Sequence, residues 1–405
     1  MEIEKKLIDA VLGQHPAHKI EFDELYAGLM DNVEQGFISK KYRGDLELFN
    51  YTKNTMFDKN WNIFTLISRG LILNPREKRV IATPFPKFFN YGEIEIRDSE
   101  SIWESELHDG EVVALEKLDG SLGIVYHHDN EWHCATRGAF DSEQAVWGTK
   151  WIRQNIDTTS LDIGHTYLFE IIYPENKIVV SYDYEGMVLL SAYCNNGFEY
   201  NSNDLNSLID NINIRKAVEY PYIKIHDFLN EAEIIDKNNE GWVIRFSNGH
   251  RIKIKGSKYC RIHRLVSNIT PLGVWDIIQN MQDFDSIRKD LPEEHLKDFD
   301  ILYEILDSKM SNLIESIRAS AEERKDLSDK DVGLSMAKGT WPDGKSVTDL
   351  EKKFMFFVRK SRLDKALTSN GKDRRVLFNY IRPTGNVLEG YTPSKAIDRF
   401  QNESS

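Results

Sequence analysis

The feature of this 405-residue sequence that most restricts its fold is a change in hydrophobic periodicity near residue 262. Between about residues 61 and 255, apolar residues form short runs that end at Gly, Pro, Asn or Asp, as in strands joined by turns. After about Ile262 they recur at three- and four-residue spacing, as in amphipathic helices. The sequence therefore predicts an α+β domain with antiparallel sheets over residues 1–262 and an all-helical domain over residues 263–405.

The strand-like runs of the first domain are numerous, and a few helical patches interrupt them. The predicted strands lie in "FTLISRGLILN", "KRVIATPFP", "EVVALEKLDG", "SLGIVYHHDNEWHCAT", "TYLFEIIYP", "KIVVSY", "MVLLSAYCNNGFEY", "GWVIRFSNG" and "HRIKIKG". The predicted helices among them are "SEQAVWGTKWIRQNI" and "SNDLNSLIDNI".

Two basic islands stand out in a chain whose formal net charge is -13. The overall charge argues against general attraction to nucleic acid, so the local charge matters more. Residues 251–264 carry six Lys or Arg and no acid, and residues 352–382 carry ten against Asp364 and Asp373. Such islands suggest ligands with several phosphates, although the second island fits a solvated helix face equally well.

Composition also indicates the compartment. The first ten residues, "MEIEKKLIDA", lack the basic-then-apolar order of a secretory signal, and no apolar run approaches the ~20 residues of a membrane span. Cys134, Cys194 and Cys260 are far apart without a Cys-x-x-Cys pair, which argues against a disulfide framework or a zinc site. We expect a soluble protein of a reducing cytoplasm with no membrane partner.

The stretch "VVALEKLDGSLGIVYHH" contains one lysine, Lys117, in an otherwise apolar run. In a strand, Lys117 and Asp119 would point to one face and Glu116 to the other. The Lys-x-Asp-Gly pattern alone is weak, because an Asp-Gly pair often forms only a hairpin turn. A lysine aimed at the interior with a carboxylate two residues later is therefore either such a hairpin or a nucleophile.

Further carboxylates and cations follow in order along the predicted sheets. Glu170 lies among apolar strand residues in "YLFEIIYP", where a carboxylate is rare unless it binds something. Glu240 precedes the strand of "NEGWVIRF", and in "RIKIK" the alternation puts Arg251, Lys253 and Lys255 on one face. These patterns predict one sheet face that collects cations and carboxylates.

This ordered set resembles the covalent nucleotidyltransferases, namely the polynucleotide ligases and the messenger-RNA capping enzymes. More narrowly, the chain resembles the RNA ligase 1 family of tailed bacteriophages in "SRGLILN", "FPKFFNYGE", "ATRGAFDSEQA", "YLFEIIYPENKIVVSY" and "NEGWVIRFSNGHRIKIK". The resemblance spans about residues 69–255 and implies a nucleotidyltransferase domain of the ATP-grasp-like ligase type. The helical part that follows favours this family over capping enzymes and most DNA ligases, which carry a β-barrel there.

The resemblance also implies roles for individual residues. Lys117 would be the nucleophile, Asp119 would orient the ribose or the nucleophile, and Glu170 would read the ribose. Glu170 and Glu240 would hold the metal ion. The other implied contacts to the nucleotide are Arg69, Lys87, Glu116, Arg137, Lys253 and Lys255.

Elementary chemistry adds a condition on the nucleophile. A lysine with the ordinary pKa near ~10.4 is protonated at neutral pH and cannot attack. We therefore expect burial and nearby cations such as Arg137, Lys253 and Lys255 to depress the pKa of Lys117. Magnesium prefers oxygen ligands and keeps several waters, so two glutamates without His or Cys suit it, with manganese as the alternative.

The implied function is that of an ATP-dependent RNA ligase, a phosphoric-ester-forming enzyme of RNA repair. Its cofactors would be ATP, with AMP held covalently on Lys117, and Mg²⁺. Its partner would be RNA with 5′-phosphate and 3′-hydroxyl ends, including cleaved tRNA, with "VRKSRLDK" and "GKDRRVLFNYIRP" as candidate RNA contacts. We expect a monomer, in the host cytoplasm if the chain is of phage origin.

Several alternatives stay open. A DNA ligase or a capping-type guanylyltransferase would share the lysine, and a non-catalytic RNA-binding protein would keep the charges without the reaction. "GTWPDGKS", residues 339–346, satisfies the P-loop pattern, but its polar flank favours a turn before the helix of "VTDLEKKFMFFVRK". We expect the pairs His15/His18 and His127/His128 to be solvated, and Trp242 to lie in the core or on the adenine.

Overall fold

The structure is a computed structural model that describes residues 13–93, 112–220, 225–246, 249–395 and 397–398. It divides into two compact units, which separate between Arg261 and Ile262. The first ten residues, on which the expected absence of a secretory signal depends, lie outside the described residues.

The first unit contains short strands separated by turns. They are β1 (Ile38–Arg43), β2 (Leu46–Tyr51), β3 (Arg69–Asn74), β4 (Arg79–Ala82), β5 (Phe89–Asn90), β6 (Val112–Glu116), β7 (Ser121–His128), β8 (Glu131–Ala135), β9 (Thr166–Ile172), β10 (Gly186–Tyr193), β11 (Glu219–Tyr220), β12 (Gly241–Phe246) and β13 (Arg251–Lys255). Their order is β1-β2-β3-β4 in one sheet, β10-β9-β7-β8 in a second and β11-β6-β12-β13-β5 in a third. Among the described strands, β13 and β5 pair in parallel and the other pairs are antiparallel.

Helices connect these strands, and polar side chains fix where several of them begin. They are α1 (Phe22–Glu34), α2 (Lys53–Phe57), α3 (Ile63–Ile67), α4 (Glu143–Asn155), α5 (Ser202–Ile212) and α6 (Ile225–Ala232). Helix α7 (Ser257–Ser267) follows the last strand and contains the boundary of the two units. Asn62 caps α3 and Ser142 caps α4 by accepting hydrogen bonds from backbone N–H groups of the first turn.

Each sheet buries apolar side chains against another layer. Ile72 of the first sheet and Ile124 of the second lie in one buried cluster. The second sheet also packs on α4, and Trp242 of the third sheet packs against Phe228 of α6 with ring centroids 5.2 Å apart. Each fully buried side chain of this size contributes roughly 1.5–3 kcal/mol, so these layers hold the strands that carry the charged residues in fixed positions.

The second unit is built from helices in its described residues. They are α8 (Pro271–Gln279), α9 (Phe284–Asp290), α10 (Glu293–Glu323), α11 (Asp329–Lys338), α12 (Asp349–Arg359), α13 (Arg362–Thr368) and α14 (Lys372–Phe378). The buried residues Leu302, Leu306, Leu313 and Ile317 follow the helical period along α10. No helix in the described part of the chain is long and apolar enough to cross a membrane.

The predicted α+β fold with antiparallel sheets, followed by a helical region, is confirmed. Two predicted strands differ from the structure. Residues 64–67, the start of "FTLISRGLILN", lie in helix α3, and "KIVVSY", residues 177–182, is irregular. The backbone N–H groups of Val179 and Val180 both donate to Asp119 Oδ2 at 2.8 Å, so they are unavailable to a neighbouring strand.

The P-loop-like segment, residues 339–346, follows a helix rather than a strand. Gly339 ends α11 with φ of 75°, a left-handed conformation that suits glycine. Thr340 then pairs with Ser346, and the Trp341 N–H donates to the Lys345 carbonyl at 2.8 Å. The segment is a tight turn closed on itself before α12, as the turn interpretation predicted.

Candidate active site

Lys117 lies directly after β6, where the chain leaves the third sheet for the second. Its backbone N–H donates to the carbonyl of Gly241 at 2.9 Å and so continues the pairing of β6 with β12. Gly120 lets the turn approach β9, because an added Cβ would lie 2.5 Å from the carbonyl oxygen of Ile171 and 3.2 Å from Glu170 Cγ. The Lys-x-Asp-Gly segment is therefore a close-packed turn between two sheets and not a hairpin.

The ammonium group of Lys117 is held by Glu240, the residue before β12. Lys117 Nζ lies 2.6 Å from Glu240 Oε2, and Lys255 Nζ lies 2.9 Å from Glu240 Oε1. Burial acts to raise the pKa of Glu240, but the two lysines outweigh it and hold this pKa below its usual range. Position 241 requires glycine, since its φ is 128° and a Cβ would lie 2.1 Å from the carbonyl oxygen of Ile254.

The pKa of Lys117 shifts in the direction opposite to the prediction. Burial acts to lower the pKa of Lys117, as expected, but its acidic neighbours, chiefly Glu240, outweigh burial and raise it. The predicted depression by nearby cations is therefore wrong for this arrangement of side chains. Lys117 is a protonated amine in an ion pair, and its side chain is 19% exposed.

Lys253 is the lysine whose pKa is well below the usual range. Burial is the largest cause, followed by the positive charges of Lys87 and Arg69 and then those of Lys117 and Lys255. Because both groups of cations act on Lys253, its ammonium group lies close enough to interact with the Lys117 ion pair and with a second cluster of cations. The predicted phosphate-binding pair, Lys253 and Lys255, is thus part of the same site as Lys117.

The second cluster surrounds the hydroxyl of Tyr51, the last residue of β2. Arg137 Nη1 donates to this hydroxyl at 3.1 Å. Burial acts to raise the pKa of Tyr51, but Arg69, Arg137 and Lys87 outweigh it and lower this pKa. Arg69 Nη1 is buried without a hydrogen-bond partner in the described part of the chain. Three predicted nucleotide contacts thus meet around one hydroxyl with excess positive charge.

Asp119 is engaged by protein groups at both carboxylate oxygens. Oδ2 accepts from the backbone N–H groups of Val179 and Val180, and Oδ1 accepts from the Tyr259 hydroxyl, all at 2.8 Å. Burial, followed by the charge of Glu240, raises the pKa of Asp119. The geometry of Asp119 is that of a residue that fixes the Lys117 turn against its surroundings.

Glu170 extends from β9, opposite Leu122 of β7 and Val188 of β10. Burial raises the pKa of Glu170 to about 8, and the charge of Lys117 offsets only part of that effect. No ion pair engages its carboxylate among the described residues. Glu170 is thus an acid that the surrounding residues leave largely uncompensated.

Glu116 differs from the other predicted site residues. Its pKa is raised by burial, against a hydrogen bond from the backbone of Val218. Burial, followed by the charge of Glu116, raises the pKa values of Tyr184 and Tyr220. Glu116 thus lies near these two tyrosines, although it is the neighbour of Lys117 along the chain.

Arg251, which the alternation put on the face of Lys253 and Lys255, belongs to a different cluster. It forms a buried ion pair with Glu199, and Arg245 lies 3.3 Å from the same carboxylate. These contacts join β12 and β13 to the chain that follows β10. Arg251 is therefore an internal support of the strand that carries the two lysines.

The arginines of the second basic island are also used internally. Arg359 Nε lies 2.6 Å from Asp329 Oδ1, and Arg362 pairs with Asp373. Arg374 is buried and donates to carbonyls at the ends of α8 and α13. The candidate RNA contacts of this island are consequently reduced to its lysines and to arginines on the surface, such as Arg375.

The prediction for Trp242 is confirmed, whereas the predicted solvation of the histidine pairs is wrong for at least one histidine. Trp242 is 2% exposed in the core of the third sheet, as the core interpretation predicted. His15 is buried at 2% exposure, so its predicted solvation is wrong. His128 Nε2 lies 3.3 Å from Asp45 Oδ1.

The sequence patterns missed three tyrosines of the site. Tyr51 ends the alternating strand "LELFNY", where an aromatic residue usually only packs in the core. Tyr259 donates to Asp119, and the Tyr182 hydroxyl accepts the Asp119 backbone N–H at 2.8 Å. Their partners lie between 63 and 140 residues away in the sequence, so no local pattern could have identified them.

Residues 67–259 match a protein-family model described as RNA ligase, and this range contains every predicted site residue. A putative bifunctional polynucleotide kinase/RNA ligase of Autographa californica nuclear polyhedrosis virus is 26% identical over 253 residues, which cover 54% of this chain and 35% of that protein. An RNA ligase of Rhodothermus phage RM378 is 25% identical over 198 residues, or 40% of this chain and 44% of that protein. The chain thus spans less than half the length of these two relatives.

Similarity to solved structures is weaker. A Naegleria gruberi RNA ligase mutant with ATP and Mn is 18% identical, covers 40% of this chain and 54% of that chain, and has a TM-score of 0.34.

Antiparallel sheets place a largely buried lysine beside carboxylates and clustered cations, an arrangement suited to binding and transferring a phosphoryl group. The similarity to the RNA ligase family lies in residues 67–259, the part of the chain whose motifs predicted it.

Proposed function

We propose that this chain is an ATP-dependent RNA ligase that joins 5′-phosphate and 3′-hydroxyl RNA ends through a covalent lysyl-AMP intermediate. The observation that carries the proposal is the 2.6 Å ion pair of Lys117 with Glu240 inside a cluster of acids and cations. The names of the relatives, one of which is an RNA ligase, support RNA as the substrate.

The reaction would proceed in three displacements, which divide one difficult step into easier ones. Lys117 Nζ attacks the α-phosphorus of ATP, the N–P bond forms, the bond to pyrophosphate breaks, and Nζ loses a proton. An oxygen of the RNA 5′-phosphate then attacks the same phosphorus, the N–P bond breaks, and Lys117 is restored. Finally, a 3′-hydroxyl oxygen attacks the activated 5′-phosphate, its proton is released, and AMP leaves.

Deprotonation of Lys117 is the condition for the first displacement, since Glu240 favours the protonated amine. Glu240 is shared with Lys255, whose Nζ lies 2.9 Å from the other oxygen. A shift of the Glu240 carboxylate toward Lys255 would release the amine of Lys117 for attack. Lys255 would therefore regulate how strongly Glu240 holds the nucleophile.

The cations around Tyr51 and Lys253 would bind the triphosphate. Arg69, Lys87 and Lys253 repel one another in buried surroundings, and this repulsion helps to lower the pKa of Lys253. A bound polyphosphate would offset that repulsion. The same fixed positive groups, with Arg137, would stabilise charge on the phosphoryl oxygens during transfer.

The acids of the site suit a divalent cation bound together with the nucleotide. Among the described residues, no group of three His, Cys, Asp or Glu side chains is arranged to hold a metal ion. Mg²⁺, however, is commonly held by one or two carboxylates together with phosphates and water. Glu170, whose pKa burial raises to about 8, would be one ligand, and Glu240 would be the second. Bound Mg²⁺ or Mn²⁺ would supply positive charge to the phosphates and favour the neutral amine of Lys117.

The proposal is tested with ATP labelled at the α-phosphate. The protein is first treated with pyrophosphate to remove bound AMP, then mixed with magnesium and the label, denatured and inspected for covalent label. We expect label on the wild type and on Lys345→Ala, and none on Lys117→Ala. Lys345→Ala is the matched control, since Lys345 is the exposed lysine of the P-loop-like turn. Label on Lys117→Ala, or none on the wild type, would contradict the mechanism.

The substrate is tested separately from the first displacement. Labelled GTP in place of ATP distinguishes a guanylyltransferase, and 5′-phosphate DNA in place of RNA distinguishes a DNA ligase. We expect ATP and RNA to be preferred in both comparisons. By resemblance, the physiological role would be repair of cleaved tRNA or of other broken RNA in the cytoplasm.

A further inference from the structure

A basic groove lies in the first unit between the edge strand β1 and helix α4. Its cavity volume is about 1070 Å³, and none of its lining residues is among the predicted site residues. Lys41, Tyr42 and Arg43 of β1 line one side, and Lys150 of α4 lines the other. We call this feature the β1–α4 groove.

The groove carries positive charge that the protein leaves uncompensated. Two of its cations, Lys40 and Arg153, are paired with Glu47 at 3.3 Å and Glu131 at 2.7 Å. Lys41, Arg43 and Lys150 are exposed and form no ion pair with a carboxylate in the described ranges. Asp141 is the acid in the lining, so three cations face one acid.

Arg43 has a neutral partner, so its charge remains available. Arg43 Nη2 lies 3.1 Å from His133 Nδ1. Burial lowers the pKa of His133 to about 4, and the imidazole is therefore uncharged at neutral pH. The contact with His133 therefore holds the Arg43 guanidinium in place and leaves its positive charge uncompensated.

An exposed aromatic side chain lies among these cations. Tyr42 is 66% exposed, although large aromatic residues are normally covered. Lys40 Nζ lies 5.0 Å from the centroid of its ring. An exposed ring between lysines and arginines is the arrangement on which single-stranded nucleic acids stack a base while their phosphates meet cations.

The groove is connected to the candidate active site by a short stretch of chain. Arg137 contacts Tyr51 in the cation cluster, and Phe140 and Asp141 line the groove. The three residues from Arg137 to Phe140 can span at most about 11 Å. A strand that leaves the reacting phosphate could therefore reach the groove within the first unit.

We propose that the β1–α4 groove binds a single-stranded segment of the RNA substrate, with phosphates on Lys41, Arg43 and Lys150 and a base on Tyr42. This proposal rests on the proposed RNA ligase function, because it assigns the path of that reaction's substrate. It assigns to the groove a role in RNA binding and sealing but none in the reaction of Lys117 with ATP.

The test uses the full chain with three charges reversed, as Lys41→Glu, Arg43→Glu and Lys150→Glu together. Its matched control reverses Lys53, Lys78 and Arg79, which are exposed, lie outside the groove and change the net charge equally. Affinity for a 5′-phosphate single-stranded RNA is measured over a range of salt concentrations, beside lysyl-AMP formation from labelled ATP.

We expect the groove variant to bind RNA at least about tenfold more weakly, with a salt slope lower by about two because three phosphate contacts are lost. Tyr42→Ala should weaken binding about tenfold without changing the salt slope. Lysyl-AMP formation should stay within about twofold in all variants, and the control should bind RNA as the wild type does.

Unchanged RNA affinity in the groove variant, or an equal loss in the control, would overturn the proposal. Failure of the proposed function has a different signature, namely no lysyl-AMP on the wild type. Because RNA affinity is measured without that reaction, the two failures are distinguishable.

Discussion

Single charged side chains determine the chemistry of this site, and each depends on a partner far away in the sequence. Lys117 and Glu240 are 123 residues apart, yet they form a 2.6 Å ion pair. Removal of one partner from a buried pair generally destabilises by about 3–5 kcal/mol, but Lys255 would still partly compensate Glu240. Glu240 thus holds Lys117 in place, and Lys255 would keep the Glu240 carboxylate paired if Lys117 were removed.

Glu170→Gln is expected to gain stability relative to the wild type as pH rises from about 5 to about 8. Burial raises the pKa of Glu170 from 4.5 to about 8, so the native state keeps a proton that the unfolded chain releases in this range. The wild type therefore loses stability as pH rises, and glutamine removes that loss. Urea unfolding with a chelator present should show a relative gain of about 3–4 kcal/mol.

The control for Glu170→Gln is Glu77→Gln, at a carboxylate whose side chain is 52% exposed. Its stability difference from the wild type should not vary over the same pH range. A pH-independent difference for Glu170→Gln would mean that Glu170 is already ionised in the folded protein.

The identity of the charged residues could be predicted from the sequence, but their protonation could not. Lys117 and Glu170 stand out because a charged side chain in an apolar strand is rarely buried without a partner, and Glu240 stands out because it directly precedes such a strand. The sequence could not indicate that Glu240 bridges Lys117 and Lys255, because the bridge depends on the register of β12 with β13 and β6. The negative charge of Glu240, followed by that of Glu170, outweighs burial and raises the pKa of Lys117 against the expected direction.

At the scale of elements, Asp119 links the Lys117 turn to the irregular segment 177–182. Asp119→Ala is expected to destabilise the first unit by about 3 kcal/mol, because it removes three hydrogen bonds and leaves buried N–H groups unpaired. Asp119→Asn keeps an oxygen for the two N–H groups and should lose about 1 kcal/mol. Urea unfolding measures both variants. Equal stability of the alanine and asparagine variants would show that these bonds do not hold the turn.

Strands and helices could be predicted from the sequence where the spacing of their apolar residues alone determines the type of structure. The alternating strands around Glu170 and Lys253, and the long helix α10, follow their patterns closely. The segment "KIVVSY" has the residues of a strand but not its partner, since Asp119 takes the backbone N–H groups that a ladder would use. Tertiary hydrogen bonding can override β propensity in this way, and a single sequence does not reveal it.

Arg374 joins two helix ends in the second unit, although the sequence suggested an RNA contact. Its guanidinium donates to the carbonyls of Ile278 and Gln279, at the end of α8, and of Ala366 and Leu367, near the end of α13. Terminal carbonyls lack partners within their own helix, so a buried cation there satisfies both hydrogen bonding and the helix dipole.

Arg374→Met is therefore expected to lower the stability of the second unit by about 2–4 kcal/mol, because four carbonyls lose the hydrogen bonds that Arg374 donates. Arg375→Met, at the exposed neighbouring position, should change stability by less than about 0.5 kcal/mol. Thermal unfolding followed by calorimetry measures both variants. Equal effects at the two positions would refute the structural role of Arg374.

At the scale of the whole molecule, an acidic chain presents cations at a few places. Its formal net charge is -13. Several of its arginines form ion pairs within the protein, such as Arg251 with Glu199 and Arg362 with Asp373. The excess positive charge is left on the site around Lys253, on the β1–α4 groove and on lysines of the second unit. Non-specific attraction of RNA is weak in such a molecule, so the RNA binding that we propose would depend on these positions.

The last prediction concerns the lysines of the second unit, for which the family resemblance suggests a role in tRNA selection. Reversal of Lys360, Lys365 and Lys372, all exposed, should leave lysyl-AMP formation within about twofold. It should slow the sealing of a cleaved tRNA at least about tenfold more than the sealing of a short linear RNA, because only the folded substrate is large enough to need additional phosphate contacts. The matched control reverses Lys330, Lys338 and Lys345, which are exposed on the same unit outside the basic island. If both substrates slow equally, the helical unit contributes general attraction rather than selection, and if the control behaves like the island variant, position within the unit does not matter.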